Sequence, residues 1–342
     1  MADGALRQVS CDEAIALQAA LPGGLLPATM DPRYVVADAQ RHDALQSVFV
    51  CYERGGDRWL HGFHVTDVPG TRWRDASSPY GYGGPVASTT QEGFVHAAWE
   101  AYARWMKQEG IVVEYVRFHP VLGNERVYGG TVTGNRDVVD IDLTLEDPSS
   151  VYAPRLMQTV RKAQRAGLRY EEQPLRSVWR EFGAFHRAAM REMNADAFYL
   201  FDDAYFEALA ALPGARVGLC TGSGAEGGWL AAALFLDGRG VREYHLAATN
   251  AAGRKAGASS FTLHRGAVRA KAMGLSHLYL GGGTAADADN PLFFFKAGFS
   301  PSRLIYRTGA SVFDAAGYEA MKRAFPEAWQ THPERPIFHR KV

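Results

Sequence analysis

The chain has 342 residues, 47% of them hydrophobic, enough for two ordinary domains with a core each. Its 37 lysines and arginines balance 37 aspartates and glutamates. That argues against a protein coating nucleic acid along a whole face, where phosphate neutralisation dominates affinity; a nucleic-acid partner would be gripped locally. The cysteines, Cys11, Cys51 and Cys220, lie far apart without a CxxC, which argues against a disulfide framework or a zinc knuckle. Apolar runs such as Trp229 to Leu236 are much shorter than the roughly 20 residues that span a bilayer. The start, with Asp3, Asp12 and Glu13, lacks the basic-then-apolar layout of a signal peptide. The expectation is a cytoplasmic protein, and the wealth of Ala, Gly and Arg points to a GC-rich bacterial genome.

In chain order, Ser47 to Tyr52 and Arg58 to Val65 read as strands from their alternation and aromatic content. Arg72 to Pro85 is turn-rich, and Ser78 to Pro85 (SPYGYGGP) reads as a firm, exposed loop. A helix follows with Phe94, Val95, Ala98, Trp99, Tyr102, Trp105 and Met106 on one face, stopped by Gly110. Ile111 to Phe118 is the next strand. A capped helix is expected from Asp147–Ser149, carrying Arg155, Arg161, Lys162 and Arg165 before Gly167. A second alternation starts there, so a domain boundary is set near residue 145. Val178 to Met193 and Asp203 to Leu212 read as helices. Arg216 to Thr221, Trp229 to Leu236 and Val241 to Ala248 read as strands, the last two paired across Asp237-Gly238-Arg239-Gly240. A helix over Ser260–Met273, a buried strand over His277–Leu280 and a short helix over Pro291–Ala297 complete an α/β lobe around a mixed sheet. There is no heptad arm.

Conventional machinery is missing. Ser223, in Thr221-Gly222-Ser223-Gly224-Ala225, is not a GxSxG elbow. His61 and His64, three apart on a strand, face opposite sides and read as packing or surface residues rather than metal ligands. Gly281-Gly282-Gly283 opens neither GxGxxG nor a P-loop. Two segments carry more. Thr249 to Ser259 reads as a loop bearing Arg254 and Lys255 at a helix N-terminus. Free N–H groups there and the helix dipole would suit an anion, or the segment is a polar connection with a serine cap. It nearly matches the Q/R-x-x-G-x-G/A loop of acetyl-CoA-dependent enzymes, with Ser259 in place of the final small residue. In Leu292-Phe293-Phe294-Phe295-Lys296-Ala297-Gly298-Phe299, three adjacent aromatics cannot all face one core. Lys296 is then either a cation on a desolvated wall, suited to an oxyanion or phosphate, or a snorkelling lysine on a core helix.

Tyr80-Gly81-Tyr82-Gly83-Gly84-Pro85, Arg161-Lys162-Ala163-Gln164-Arg165-Ala166-Gly167, Tyr244-His245-Leu246-Ala247-Ala248-Thr249-Asn250 and Phe295-Lys296-Ala297-Gly298-Phe299 follow one another in the order, and at the separations, of the Fem peptidyltransferases. Over nearly its whole length the chain resembles that family, which adds amino acids from aminoacyl-tRNA to peptidoglycan precursors, and its relatives in natural-product biosynthesis. The resemblance implies an α/β (α+β) protein of two N-acetyltransferase-like (GNAT-like) lobes, each a mixed sheet flanked by helices, with a cleft between. Residues 1–145 plus about 311–342 would form the acceptor-side lobe and 146–310 the donor-side lobe. It further implies that Phe295 and Lys296 face the tRNA acceptor end and the reacting ester. Tyr80, Tyr82 and Tyr244 would line the acceptor channel, and Arg161 and Lys162 would bear on phosphate, although such a run also suits a solvated helix face. No lysine precedes Lys107, so the family's acceptor-binding lysine of the first lobe has no counterpart. The expected activity is amide formation by an aminoacyltransferase needing no cofactor, with aminoacyl-tRNA as co-substrate and an amine-bearing small molecule or peptide as acceptor. An acyl-CoA N-acyltransferase and a non-catalytic peptide- or carbohydrate-binding relative remain as alternatives. Glu114, Asp140 and Asp142 are the carboxylates near strand ends that could serve as a base.

Overall fold

The computed structural model describes residues 4–222, 228–283 and 290–340; Ser223 lies outside them. From the N-terminus run β1 (Ala5–Val9), α1 (Cys11–Ala19), α2 (Pro32–Ala39), β2 (Gln46–Arg54), β3 (Asp57–Asp67), β4 (Arg74–Ser77), β5 (Val86–Ala87), α3 (Glu92–Gln108), β6 (Ile111–Arg117) and β7 (Thr131–Asp142). Then follow α4 (Pro154–Arg165), β8 (Arg169–Pro174), α5 (Trp179–Glu192), α6 (Asp203–Ala210), β9 (Ala215–Thr221), β10 (Trp229–Asp237) and β11 (Val241–Thr249). The chain continues with α7 (Ala251–Ala256), α8 (Ala258–Ala272), β12 (His277–Gly281), α9 (Pro291–Ala297), β13 (Arg303–Val312), α10 (Ala315–Ala324) and α11 (Pro326–Thr331). Two compact units result. The first comprises the chain up to Gly23, Thr29–Asn135 and the return from Tyr306; the second comprises Gly24–Ala28 and Arg136–Ile305. The division after Asn135 precedes the boundary read near 145, and the return begins at 306 rather than about 311.

In the first unit the strand order is β1-β2-β3-β4-β6-β13, antiparallel throughout except for the parallel pair β4/β6. Helix α3 closes one face because Phe94, Ala98, Tyr102 and Met106 recur at helical spacing and are all buried. They meet Trp59, Phe63 and Val65 of β3. Two expectations are corrected here. The stretch 72–85 contains a strand, β4, held from both sides by backbone pairing. The Ser78–Pro85 loop is not exposed: every residue in it is buried or half-buried.

The second unit repeats the scheme, with strand order β7-β12-β11-β10-β9-β8 and again one parallel pair, β11/β12. Its sheet is covered on both faces. Ala233 and Phe235 of β10 pack on Leu263 and Ala267 of α8. Ala248, opposite Ala232 on the alternate side, packs on Ala189 and Met190 of α5. Helix α4 starts at Pro154, later than expected: Asp147 caps only a 3-10 turn over Pro148–Val151, and the extended Tyr152 and Ala153 separate the two. Among the described residues no helix is long and apolar enough to cross a membrane.

Candidate active site

The parallel pair of the second unit opens a natural mouth. β11 and β12 are paired at only three positions, Val241–Glu243 against His277–Tyr279. Beyond them β11 runs on to Thr249 beside β10 alone, while β12 passes into Gly282. His245 is the extra residue of a β-bulge, since Phe235 stands opposite Tyr244 and Leu234 opposite Leu246. A bulge bends its strand and strengthens the twist, and so helps the two strands part.

Lys296 is directed into this opening by α9. Pro291 starts the helix, and the Asn290 side chain accepts hydrogen bonds from the Leu292 and Phe293 amides at 3.1 and 3.2 Å. Of the three aromatics, Phe294 is 58% exposed, while Phe293 and Phe295 pack against the core of the unit, Phe295 edge-on to Phe299 at 5.5 Å. Lys296 is buried, 8% exposed, so it does not snorkel. Its Nζ donates to the Gly282 carbonyl at 2.8 Å and stands 6.0 Å from the Tyr244 ring centroid. Among the described residues it has no ion-pair partner. Burial, reinforced by the charge of Arg136, lowers its pKa to about 7. The glycine run allows a close approach here. A Cβ on Gly283 would come within 2.5 Å of the Asn290 side chain, so glycine lets the chain after Gly282 lie close to the residue that caps α9.

In the first unit, the Tyr80–Pro85 loop leaves β4 and is held by its backbone. The Tyr80 amide donates to Asp38 Oδ2 at 2.7 Å, and the Tyr80 carbonyl accepts from the Tyr34 hydroxyl at 2.6 Å. Asn124 Nδ2 donates to the carbonyls of Gly83 and Pro85. Asp38 is fully buried. Burial pushes its carboxyl up, but Arg41 at 2.8 Å and His64 outweigh that and hold it below the usual range. The Arg41 guanidinium lies 5.5 Å from the Tyr80 ring centroid. The Tyr82 ring meets His119 at 4.9 Å and Tyr306 at 6.0 Å, both edge-on.

This arrangement has relatives among known structures. FemX shares 13% sequence identity with the chain at a TM-score of 0.69, over 93% of this chain and 99% of that one. The fold is Fem-like. The C-terminal domain described as that of a lysylphosphatidylglycerol synthetase from Agrobacterium fabrum matches at a TM-score of 0.58 with 15% identity, over 94% of this chain and 97% of that one. A tandem GNAT protein from the clavulanic acid biosynthesis pathway matches at 0.51 with 9% identity, over 91% and 99%. No protein-family model and no curated protein matches the chain. At these identities the likeness defines architecture alone: two GNAT-like units, each a mixed sheet with helices on it.

Within the Fem-like fold, the expected residues are distributed unevenly. Lys296 and Tyr244 come together at the mouth of β11 and β12, while Phe295 packs beside Phe299 against the core of the unit. Arg254 and Lys255 do not form an anion loop. The segment after β11 is the helix α7, and both residues lie in its last turn, where backbone carbonyls rather than amides are unsatisfied. Arg254 is tied to the Glu192 carboxylate and to the Thr249 carbonyl. Gly257 then turns the chain at φ +73°, so close to α4 that a Cβ would lie 2.6 Å from Thr159 Cγ2. The first turn of α8 is mostly buried, Ala258 and Ser260 included. Arg155, Arg161, Lys162 and Arg165 are all exposed on α4, a helix without an acidic residue, and none has an ion pair among the described residues.

The carboxylates considered as bases are committed elsewhere. Glu114 is fully buried inside the first unit and accepts from His61 Nε2 at 2.9 Å, Tyr102 at 2.7 Å and Tyr128 at 3.2 Å. His61 and His64 are therefore core residues, not surface ones; His64 Nε2 lies 2.8 Å from the Val35 carbonyl. Asp142 caps Thr144. Asp140 bonds His277 Nδ1 at 2.7 Å, and that bond raises the histidine's pKa. Sequence reasoning missed Gly282, Arg136, Tyr306 and His119. The glycine run was visible but carried no nucleotide motif, and nothing local marks Arg136.

Proposed function

We propose that the protein is an acyltransferase that moves an amino acid from aminoacyl-tRNA to an amine acceptor, a peptidoglycan precursor or natural-product peptide, and so forms an amide. One observation carries the reading: a buried lysine, without a carboxylate partner among the described residues, at the mouth of two parting strands. An ammonium is costly to keep buried, and such groups cluster at functional positions. An aminoacyl ester is already activated, so the enzyme needs chiefly to orient the two reactants and to stabilise charge at the carbonyl. In this reading Lys296 supplies that charge and Phe295 and Tyr244 shape the wall beside it. Tyr80 and Tyr82 receive the acceptor on a loop held rigid by Asp38, Tyr34 and Asn124. The exposed cations of α4, Arg161 and Lys162 among them, suit a transient grip on RNA phosphate in a chain of zero formal net charge. The donor's nature makes the location cytoplasmic.

The acyl-CoA alternative is weaker because α7 stands where a diphosphate-binding loop would be needed, and Arg254 is already paired. A non-catalytic binder would have no use for a buried lysine. The test is incubation with charged tRNA or acetyl-CoA plus candidate amines, read by mass spectrometry of the product. The expected result is an aminoacyl mass increment that depends on charged tRNA. Lys296→Met should lower kcat about a hundredfold or more, the usual loss when one charge-stabilising donor is removed. An acetyl increment, or turnover untouched by Lys296→Met, would refute the reading.

A further inference from the structure

The reaction just described leaves one need unmet: the attacking amine must be neutral, and none of the three carboxylates can deprotonate it. Glu114 is sealed in the first unit among three donors, Asp142 is turned onto Thr144, and Asp140 is engaged by His277. The second unit contains a different group of suitable chemistry. We propose that Lys296, in its neutral form, is the proton acceptor for the incoming amine. The inference rests on the acyl-transfer reading above and deepens it.

Geometry supports the role. Among the described residues Lys296 Nζ donates one hydrogen bond, to the Gly282 carbonyl at 2.8 Å, and that contact is satisfied by an amine N–H as well as by an ammonium N–H. A neutral amine that keeps this one donor contact still has its lone pair to accept a proton. Among the described residues two titratable or charged groups act on it. β11 contributes Tyr244, whose hydroxyl burial keeps neutral by raising its pKa, and β7 contributes Arg136, a cation that disfavours a second positive charge. The Gly282 carbonyl that follows β12 adds a dipole. An ordinary lysine in water would be protonated and useless as a base; this one has both forms accessible near neutrality.

The steps balance. The Lys296 amine takes a proton from the acceptor's ammonium, giving a Lys296 ammonium and a neutral amine. That amine forms the C–N bond at the ester carbonyl, and the electron pair of the C=O moves to oxygen beside the new ammonium. On collapse the C–O bond to the ribose breaks, and the proton still on the amide nitrogen goes to the leaving ribose oxygen. Lys296 then releases its proton to solvent. The net change is ester plus ammonium to amide, alcohol and one proton. One side chain thus acts first as base and then as the cation next to the oxyanion.

The test uses the whole protein and two independent readouts. The sequence has seven lysines, few enough to resolve after labelling at Cε with carbon-13. One resonance should titrate with a midpoint near 7 and be missing in Lys296→Met. Its midpoint should rise in Arg136→Gln, which removes the neighbouring cation. In parallel, kcat/KM for the acceptor should climb with pH through the same midpoint. In Lys296→Arg, cationic at every working pH, that climb should vanish and the rate fall at least a hundredfold, while the variant still folds. A Lys296 midpoint above 9 would overturn the proposal, as would an unchanged pH profile in Lys296→Arg. Absence of turnover with every donor would instead overturn the acyl-transfer reading and its proton acceptor together; it is recognised because the titration near 7, read on the protein alone, persists.

Discussion

Replacing Lys296 by methionine should make the protein more stable, and the gain should depend on pH in a defined window. The unfolded lysine has a pKa of 10.5 and the folded one about 7. Above about 10.5 both states carry a neutral amine, and the residue is neutral in its effect. As pH falls from 10.5 to 7, the unfolded chain binds a proton that the folded chain refuses, so folding loses stability throughout that interval. Below 7 both are protonated and the loss is complete. At about 1.36 kcal/mol per tenfold difference in proton affinity, the full penalty is on the order of 4–5 kcal/mol, an upper bound because buried sites relax. Lys296→Met keeps most of the apolar stem but leaves the Gly282 carbonyl without its donor, which costs about 1–3 kcal/mol. The net expectation at pH 6 is a gain of about 1–4 kcal/mol, turning into a loss of about 1–3 kcal/mol above pH 10.5. Urea unfolding of both proteins across pH 6–10 measures the difference directly, and effects common to both cancel. A variant less stable at pH 6, or a difference that does not change with pH, would mean that the ammonium is well solvated in the fold and the site is not what we describe.

Other perturbations separate packing from function. Glu114→Ala strands His61, Tyr102 and Tyr128 in the core and should cost about 3–5 kcal/mol in urea unfolding, with the Lys296 titration unmoved. Tyr82→Ala should raise the acceptor KM about tenfold or more and leave the donor KM nearly unchanged, since the loop is held through the backbone of Tyr80, Gly83 and Pro85 rather than through the Tyr82 ring. The double variant Arg161→Ala, Lys162→Ala should leave the melting temperature unchanged and reduce the salt slope of donor binding by roughly 1.4–1.8, two phosphate contacts at about 0.7–0.9 each; an unchanged slope would remove α4 from the RNA-binding surface.

The elements most legible in the sequence were those whose pattern is local. The stripe Phe94, Ala98, Tyr102, Met106 defined α3, and the alternating apolar runs on either side of Asp237–Gly240 defined β10 and β11 as a pair. What escaped depended on distant chain. β4 is four residues, Arg-Asp-Ala-Ser, with no strand signature of its own; it is extended because β3 and β6 pair with it. The segment after β11 looked like a loop because Gly253 and Gly257 punctuate it. Gly253 is nevertheless helical, placed where a Cβ would strike the Leu230 carbonyl, and the Asn250 side chain caps the helix by accepting from the Gly253 amide. Lys296 stood out as a lysine among aromatics, but its burial and its bond to the Gly282 carbonyl, fourteen positions earlier, are tertiary facts with no local signal.

The return of the chain to its first unit has a consequence for how the protein is made. β6 ends at Arg117, and the strand that covers its open edge, β13, pairs through Thr308 to Val312. On a ribosome adding about 5–20 residues per second, the edge of β6 waits roughly 10–40 s for its neighbour. Throughout that time Ile111, Val112, Val113 and Val116, all buried in the finished fold, belong to a sheet lacking its last strand. The second unit, continuous from Arg136 to Ile305 but for the short Gly24–Ala28 segment already synthesised, can complete itself first. Expression conditions that slow translation or withhold chaperones should therefore harm the half of the molecule that begins first and finishes last.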